Sequence, residues 1–185
     1  MIILASRSPR RIDMLKDRGY EFSTVPSGIE ENEPAIPGMK ELPMFLSLKK
    51  ALDVESRTSP GDTVIAADTI VYTNRPVGKP VDEEDAKEML LSYSGSSHYV
   101  ITGVSIIKAH ADVKVSFASV SKVFFKEFTY DDIRDYLKTE EPYDKAGAYA
   151  IQGWFSKYID SYVGSLNNII GFPIEEIESH LKAIV

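Results

Sequence analysis

The pattern of apolar and polar positions predicts strands and helices intermixed along the chain. Alternating or continuous apolar runs indicate strands, and apolar residues spaced three and four apart indicate amphipathic helices. The predicted strands are residues 1–5, 63–72, a short strand after the turn at 72–77, 98–107 and 113–125. The predicted helices, counted with their cap residues, are 9–19, 43–55, 82–95, 129–137 and 173–185. This mixture predicts an α/β or α+β fold class.

The organisation of the chain predicts one domain over residues 1–185. No repeat, low-complexity tract or long linker divides it, and 185 residues suit a single domain. Residues 30–43 are rich in proline and predict a loop.

The composition excludes several classes of chemistry. The chain has no cysteine, which removes thiol nucleophiles, iron–sulfur clusters and cysteine-ligated zinc, and which fits a reducing cytoplasm. The histidines, His98, His110 and His180, lack the spacing of a metal-binding pair. A net charge of −7 argues against nucleic acid or an anionic membrane as a partner. No apolar run approaches the ~20 residues of a membrane span, so we expect a cytoplasmic protein.

The first segment with candidate chemistry is Ser6 to Arg11, directly after the first strand. Ser8 suits a helix N-cap and Pro9 the first helical position, so free backbone amides lie beside Arg10 and Arg11. Amides, helix dipole and guanidinium groups together favour phosphate binding. The alternative is a capped helix with a solvated basic first turn.

Three further segments carry polar groups in unusual settings. Asp68 interrupts an otherwise apolar strand, where it could bind Mg²⁺ or act as a general base, or else lie at a bulge or strand end. Lys79 lies between Gly78 and Pro80, a place where a lysine is ordinarily just solvated. Gln152 closes a segment of charged and small residues, and its amide can read a base edge or belong to a packed loop.

These groups suit a phosphoanhydride substrate. Arginines, lysines, carboxylates and one amide can neutralise charge and align a water, which phosphoryl transfer needs more than a covalent nucleophile. Neither a Walker P-loop nor a G-x-G-x-x-G motif is present, so the common ATPase, kinase and dinucleotide frameworks are not indicated.

Several motifs in order resemble the Maf family, from residue 2 to about residue 175. The matching segments are Leu4-Ala5-Ser6-x-Ser8-Pro9-Arg10-Arg11, Ala66-Ala67-Asp68-Thr69, Gly78-Lys79-Pro80, and motifs within Ser94 to Gly103, Asp144 to Gly153 and Asn168 to Pro173. The resemblance implies an elongated α/β fold, Maf/ITPase-like, with a mixed β-sheet, flanking helices and two lobes around a deep central cleft. Members are often dimeric, so a homodimer is one expected assembly state.

The resemblance also implies an activity and a cofactor. The expected reaction is hydrolysis of the α–β phosphoanhydride of a nucleoside triphosphate to the monophosphate and pyrophosphate, with Mg²⁺ or Mn²⁺. The branch that this chain resembles acts on dTTP, UTP and modified pyrimidine triphosphates. The other main branch, which favours 7-methyl-GTP, has a Cys at the position of Lys145 and a Glu near Gln152, and this chain has neither.

Carried over to this sequence, the family's site residues fall into two groups. The catalytic group implied by the resemblance is Asp68, Glu31 and Lys50, with Asp68 and Glu31 also as metal ligands. The substrate-binding group is Ser8, Arg10, Arg11, Thr69, Lys79 and Gln152. Glu30 is an alternative to Glu31, and Lys49 an alternative to Lys50.

Two other functions stay open at the level of sequence. One is a nucleotide-binding regulator of cell division or septum formation that does not turn its ligand over; the water-activating carboxylate of Asp68 argues against it. The other is a phosphatase that releases orthophosphate, which differs from the expected enzyme in its product.

Overall fold

The computed structural model of the protein describes residues 1–30 and 38–184. The strands are β1 (Ile2–Leu4), β2 (Phe22–Thr24), β3 (Thr63–Tyr72), β4 (Pro76–Val77), β5 (Ser97–Lys108), β6 (Lys114–Phe125) and β7 (Ile159–Val163). The helices are α1 (Pro9–Asp17), α2 (Glu41–Glu55), α3 (Glu83–Leu91), α4 (Tyr130–Leu137), α5 (Leu166–Ile170) and α6 (Ile174–Ile184). Short 3₁₀ turns cover Pro142–Asp144, Ala146–Ala148 and Trp154–Tyr158.

Within these residues the strands form one seven-stranded mixed sheet. Its order is β2-β1-β3-β5-β6-β7, and β4 pairs with β3. β1 runs parallel to β2 and β3, whereas β7 is antiparallel to β6 and β4 to β3. The prediction of an α/β fold built on a mixed sheet with helices is therefore confirmed.

The chain divides into two compact units. The first comprises Met1–Thr69, Thr102–Ser119 and Gly171–Val185, and the second Ile70–Ile101 and Val120–Ile170. In the first unit, Ile65 and Ala67 of β3 pack in a cluster with α1 and α6, whereas Val64 and Ala66 pack in a cluster with α2. Successive side chains of a strand point to opposite faces, so α2 lies on one face of β3 and α1 and α6 on the other.

The second unit has a core rich in aromatic side chains. Val71, Val100 and Val123 of the strands pack with α3, α4 and the segment that follows α4. The ring contacts join Tyr93, His98, Phe125, Tyr149 and Phe155.

Most predicted elements are present, with small shifts at their ends. β3 matches the predicted strand residue for residue, and α2 begins at Glu41, two residues before the predicted start. Phe45 and Leu52 of α2 are 40% and 41% exposed, whereas Leu46 and Val54 are buried. β2, β7 and α5 were not predicted.

The predicted helix caps are confirmed in part. The Asp82 carboxylate accepts a hydrogen bond from the backbone amide of Asp85 at the start of α3, and Thr129 forms a capping box with Asp132 at the start of α4. Ser8 occupies the N-cap of α1, but its side chain makes no cap hydrogen bond; its backbone amide donates to Ser6 Oγ at 3.1 Å. None of the helices formed by the described residues has the length and apolar character needed to cross a bilayer.

Candidate active site

An ion pair with a buried carboxylate joins β3 to α2 in the first unit. Asp68 in β3 is 6% exposed, and Lys50 Nζ of α2 donates to its Oδ1 at 2.6 Å. Asp68 lies inside a strand that continues to Tyr72, which excludes the strand-end alternative. An ionised carboxylate is costly to bury unless it is paired, so the ammonium group compensates its charge.

The two lysines that the sequence offers for the site have different neighbours. Lys50 contacts Asp68, whereas the ammonium of Lys49 lies 5.7 Å from the ring centre of Phe45. Glu31, the second predicted carboxylate, lies outside the described residues, and its alternative Glu30 is exposed.

The two predicted arginines at the start of α1 have different surroundings. Arg10 is exposed to solvent. Arg11 is half-buried, and its guanidinium donates to the carbonyl oxygens of Ala67 and Gly171 and to Thr69 Oγ1. Ser8, which precedes both arginines, is partly exposed at the N-terminus of the helix.

Thr69, which follows Asp68 in β3, belongs to a cluster of polar groups. Its Oγ1 lies 3.0 Å from Thr102 Oγ1 of β5 and also accepts from Arg11. The sequence did not single out Thr102 as a functional residue, although it lies in one of the family-like motifs. The Thr102 side chain is fully buried, so its hydroxyl forms hydrogen bonds with protein groups rather than with solvent.

In the second unit, the segment that holds Lys79 contacts the segment that holds Asp144. Lys79 Nζ lies 3.0 Å from Asp144 Oδ1, and Lys145 Nζ lies 3.2 Å from Asp144 Oδ2. The backbone amide of Gly147 donates to the carbonyl of Gly78 at 2.8 Å. The hydrogen bond from Lys79 holds the pKa of Asp144 below its ordinary value, so this carboxylate stays ionised between two ammonium groups.

Lys145 was not among the predicted binding residues. The structure places it beside Lys79 through their shared carboxylate, which makes a forked pair of cations. Gln152 is exposed and immediately precedes Gly153, so its amide is accessible to a ligand.

The described residues are compatible with a divalent cation that has further ligands besides the protein. In the described part of the chain no group of three or more His, Asp or Glu side chains converges as a metal site. Mg²⁺ in nucleotide enzymes is commonly bound by one or two carboxylates together with phosphate oxygens and waters. One buried carboxylate, Asp68, is a donor set of that kind.

Comparisons with known proteins identify the family. A family model described as "Maf-like protein" matches residues 1–184. A dTTP/UTP pyrophosphatase of Desulfitobacterium hafniense (strain Y51) is 40% identical over 98% of this chain and 84% of its own length. A dTTP/UTP pyrophosphatase of Clostridioides difficile (strain 630) is 42% identical over 98% of this chain and 93% of its own length.

A solved structure shares the fold. A HAM1 protein from Coxiella burnetii superposes with a TM-score of 0.54, covers 98% of each chain and is 14% identical. The family match extends over nearly every residue and agrees with two relatives of similar length. The chain therefore belongs to the Maf family.

Proposed function

We propose that this protein hydrolyses dTTP and UTP, with modified pyrimidine triphosphates as related substrates, to the nucleoside monophosphate and pyrophosphate. The observation that carries the proposal is the identity of 40–42% over 98% of the chain to relatives named dTTP/UTP pyrophosphatase. The buried Asp68–Lys50 pair supplies a carboxylate suited to this chemistry.

Asp68 accepts a proton from the attacking water in this proposal. The water oxygen forms a bond to the α-phosphorus while the bond from that phosphorus to the α–β bridging oxygen breaks. Pyrophosphate leaves with the bridging oxygen and the electron pair of the broken bond. Lys50 keeps the carboxylate in place and balances its charge before and after substrate binds.

Four of the other predicted residues bind the substrate, namely Ser8, Arg10, Lys79 and Gln152. Arg10, the amides near Ser8 and Lys79 neutralise the phosphates, of which a triphosphate carries about four charges; one cation ~4 Å from a phosphate charge contributes about 4 kcal/mol at an effective dielectric of 20, before desolvation. Gln152 offers one donor and one acceptor to a pyrimidine edge.

Asp68, with Glu31, would hold the divalent cation. When bound, Mg²⁺ or Mn²⁺ supplies charge neutralisation at the phosphates and lowers the pKa of a coordinated water. Removal of divalent cations with EDTA should abolish turnover, and addition of Mg²⁺ should restore it.

A product-resolved assay tests the activity. The purified protein with Mg²⁺ is offered dTTP, UTP, CTP, dATP, GTP and 7-methyl-GTP, and the phosphorus products are separated. We expect dTMP or UMP with pyrophosphate. Nucleoside diphosphate with orthophosphate would show a phosphatase instead, and binding of nucleotide without any turnover would indicate a sensor.

Asp68→Asn tests the assigned base. The amide is nearly isosteric but cannot accept the proton, so turnover should fall by about a hundredfold or more while dTTP binding persists. Asp13→Asn is the matched control, because Asp13 is an exposed carboxylate on α1 and its loss should leave turnover unchanged. Near-normal turnover of Asp68→Asn would remove Asp68 from this role.

A further inference from the structure

The guanidinium of Arg11 binds the backbone and side chain on both sides of Asp68. Its Nη1 donates to the carbonyl oxygen of Ala67 at 2.6 Å, and its Nη2 donates to Thr69 Oγ1 at 3.2 Å. We propose that Arg11 is a positioning residue that fixes the strand segment of Asp68, rather than a second phosphate ligand beside Arg10. The inference rests on the proposed pyrophosphatase function.

The two faces of β3 separate Arg11 from the carboxylate. Side chains alternate along a strand, so Thr69 points to the face opposite Asp68. The face of Asp68 is the one that packs on α2, which carries Lys50, and the face of Thr69 is the one that packs on α1, which carries Arg11. Arg11 therefore acts on Asp68 through the strand backbone, while Lys50 acts on its side chain.

Arg11 makes a third hydrogen bond, to the backbone of Gly171. Arg11 Nε donates to the Gly171 carbonyl at 3.0 Å, so one planar group joins α1, the part of β3 that belongs to the first unit, and the turn before α6. Gly171 has φ of +108°, and a Cβ there would lie 3.0 Å from Thr69 Oγ1. The turn thus needs glycine both for its backbone conformation and for the close approach of Thr69.

The planar guanidinium group of arginine can donate these three hydrogen bonds at once, whereas the ammonium group of lysine cannot. An ammonium retains the positive charge that a phosphate would need, but it is a compact point donor without the rigid fork. Arg11→Lys therefore separates the two roles, because a phosphate ligand would keep part of its function and a planar brace would lose it.

The experiment compares Arg11→Lys with the matched variant Arg10→Lys in the full-length protein. For Arg11→Lys we expect kcat to fall by about a hundredfold, the cost of a displacement of ~1 Å at the reacting centre. The dissociation constant for a non-hydrolysable α,β-imido-dUTP, measured by calorimetry, should stay within about threefold of wild type, because the lost interaction acts on the chemical step. Arg10→Lys should mainly weaken analogue binding.

A second readout needs no substrate. Hydrogen exchange of backbone amides in residues 65–70 should be about tenfold faster in Arg11→Lys than in wild type or Arg10→Lys, because the hydrogen bonds from the guanidinium to that segment are lost. An inactive wild-type protein would defeat the proposed function yet leave this readout valid. Unchanged exchange, unchanged kcat, or analogue binding weakened as much as in Arg10→Lys would overturn the inference.

Thr102 provides a second test if Arg11→Lys does not fold. Thr102→Val removes the hydroxyl that lies 3.0 Å from Thr69 Oγ1 and keeps the shape of the side chain, whereas Thr102→Ser keeps the hydroxyl. Because that hydroxyl orients the Thr69 oxygen for Arg11, kcat should fall in Thr102→Val at unchanged analogue affinity, and Thr102→Ser should recover most of it. Equal kcat in the two variants would count against the brace.

Discussion

His98 is a buried titratable residue that lies among aromatic rings of the second unit. It is 1% exposed, its Nε2 lies 2.8 Å from the hydroxyl of Tyr149, and its ring contacts Tyr93 edge to face at 4.5 Å. Burial lowers the pKa of His98 to about 3 and raises that of Tyr149 well above its ordinary value. Both groups are therefore neutral at pH 7, and their hydrogen bond supports the segment that leads to Gln152.

The low pKa of His98 predicts a loss of stability in mild acid. Between pH 6.5 and 3 the unfolded histidine binds a proton that the folded one does not, so the free energy of unfolding falls as pH falls through this range. From pH 7 to pH 5 the expected loss is about 2 kcal/mol, measured by urea unfolding.

Two variants isolate this contribution. His98→Phe keeps an aromatic ring in the cluster and should remove most of the pH dependence between pH 7 and 5, although it lowers stability at pH 7. His110→Asn is the control: His110 is exposed with φ of 59°, a conformation that asparagine tolerates, and the comparison separates the loss of the buried histidine from the loss of an exposed one. An unchanged pH profile in His98→Phe would show that His98 is not the group responsible.

At the residue scale, the sequence singled out positions that break a local pattern. It singled out Asp68 because a carboxylate interrupts an apolar strand, and it singled out Lys50 through the family resemblance; the structure shows that the two side chains are in contact. The contacts of Arg11 with Ala67 and Gly171 join positions 56 and 160 residues away, and no local pattern encodes such distances. The role that sequence suggested for Arg11, a phosphate contact, therefore did not anticipate its partners.

At the scale of elements, the first turn of α2 packs directly on β5. A Cβ added at Gly103 would lie 2.2 Å from the carbonyl carbon of Pro43, so the helix backbone and the strand approach as only glycine permits. Ser47 Oγ of the helix also lies 2.9 Å from Ser105 Oγ of the strand. These contacts fix the distance between α2 and the sheet, and they therefore fix the position of Lys50.

Gly103→Ala should therefore damage both stability and catalysis. The methyl group has no space beside backbone atoms, and overpacking of this kind costs about 1–3 kcal/mol. Displacement of α2 should also lengthen the contact of Lys50 with Asp68 and lower kcat by about tenfold or more. Chemical denaturation and steady-state kinetics measure the two effects.

Gly28→Ala is the control for this substitution. A Cβ at Gly28 has nothing within 4 Å, so its stability should stay within about 0.5 kcal/mol of wild type. If Gly103→Ala were as stable and as active as Gly28→Ala, the close approach of α2 to β5 would not hold Lys50 in place.

Elements with a buried face were predictable, and elements without one were not. β3 is buried along nearly its whole length and was predicted residue for residue. β2 has one half-buried and two exposed residues, and β7 has one half-buried and four exposed, so neither shows the alternation of a strand. They form because β1 and β6 offer them backbone partners, which a single-sequence pattern does not reveal.

The net charge of the whole molecule is negative, whereas the residues proposed to bind the phosphates are positively charged. The chain carries −7, yet the residues proposed to bind phosphates are cationic and lie on α1 and in the segment before α3. At low ionic strength the net charge opposes the approach of a triphosphate, so affinity depends on these local cations rather than on the overall field. A ligand that these cations bind in the folded protein should stabilise the folded state against unfolding, and the loss of one cation should reduce that stabilisation.

A non-hydrolysable α,β-imido-dTTP should raise the melting temperature of the protein. A ligand that binds the folded state alone, at a hundred times its dissociation constant, stabilises it by about 2.7 kcal/mol. For a domain of this size that corresponds to a rise of about 5–10 °C, measurable by scanning calorimetry. At the same analogue concentration the rise should be less than half as large in Arg10→Ala and unchanged in Asp13→Asn. An equal rise in wild type and Arg10→Ala would show that the analogue binds without Arg10, because the stabilisation is set by the affinity that this residue contributes.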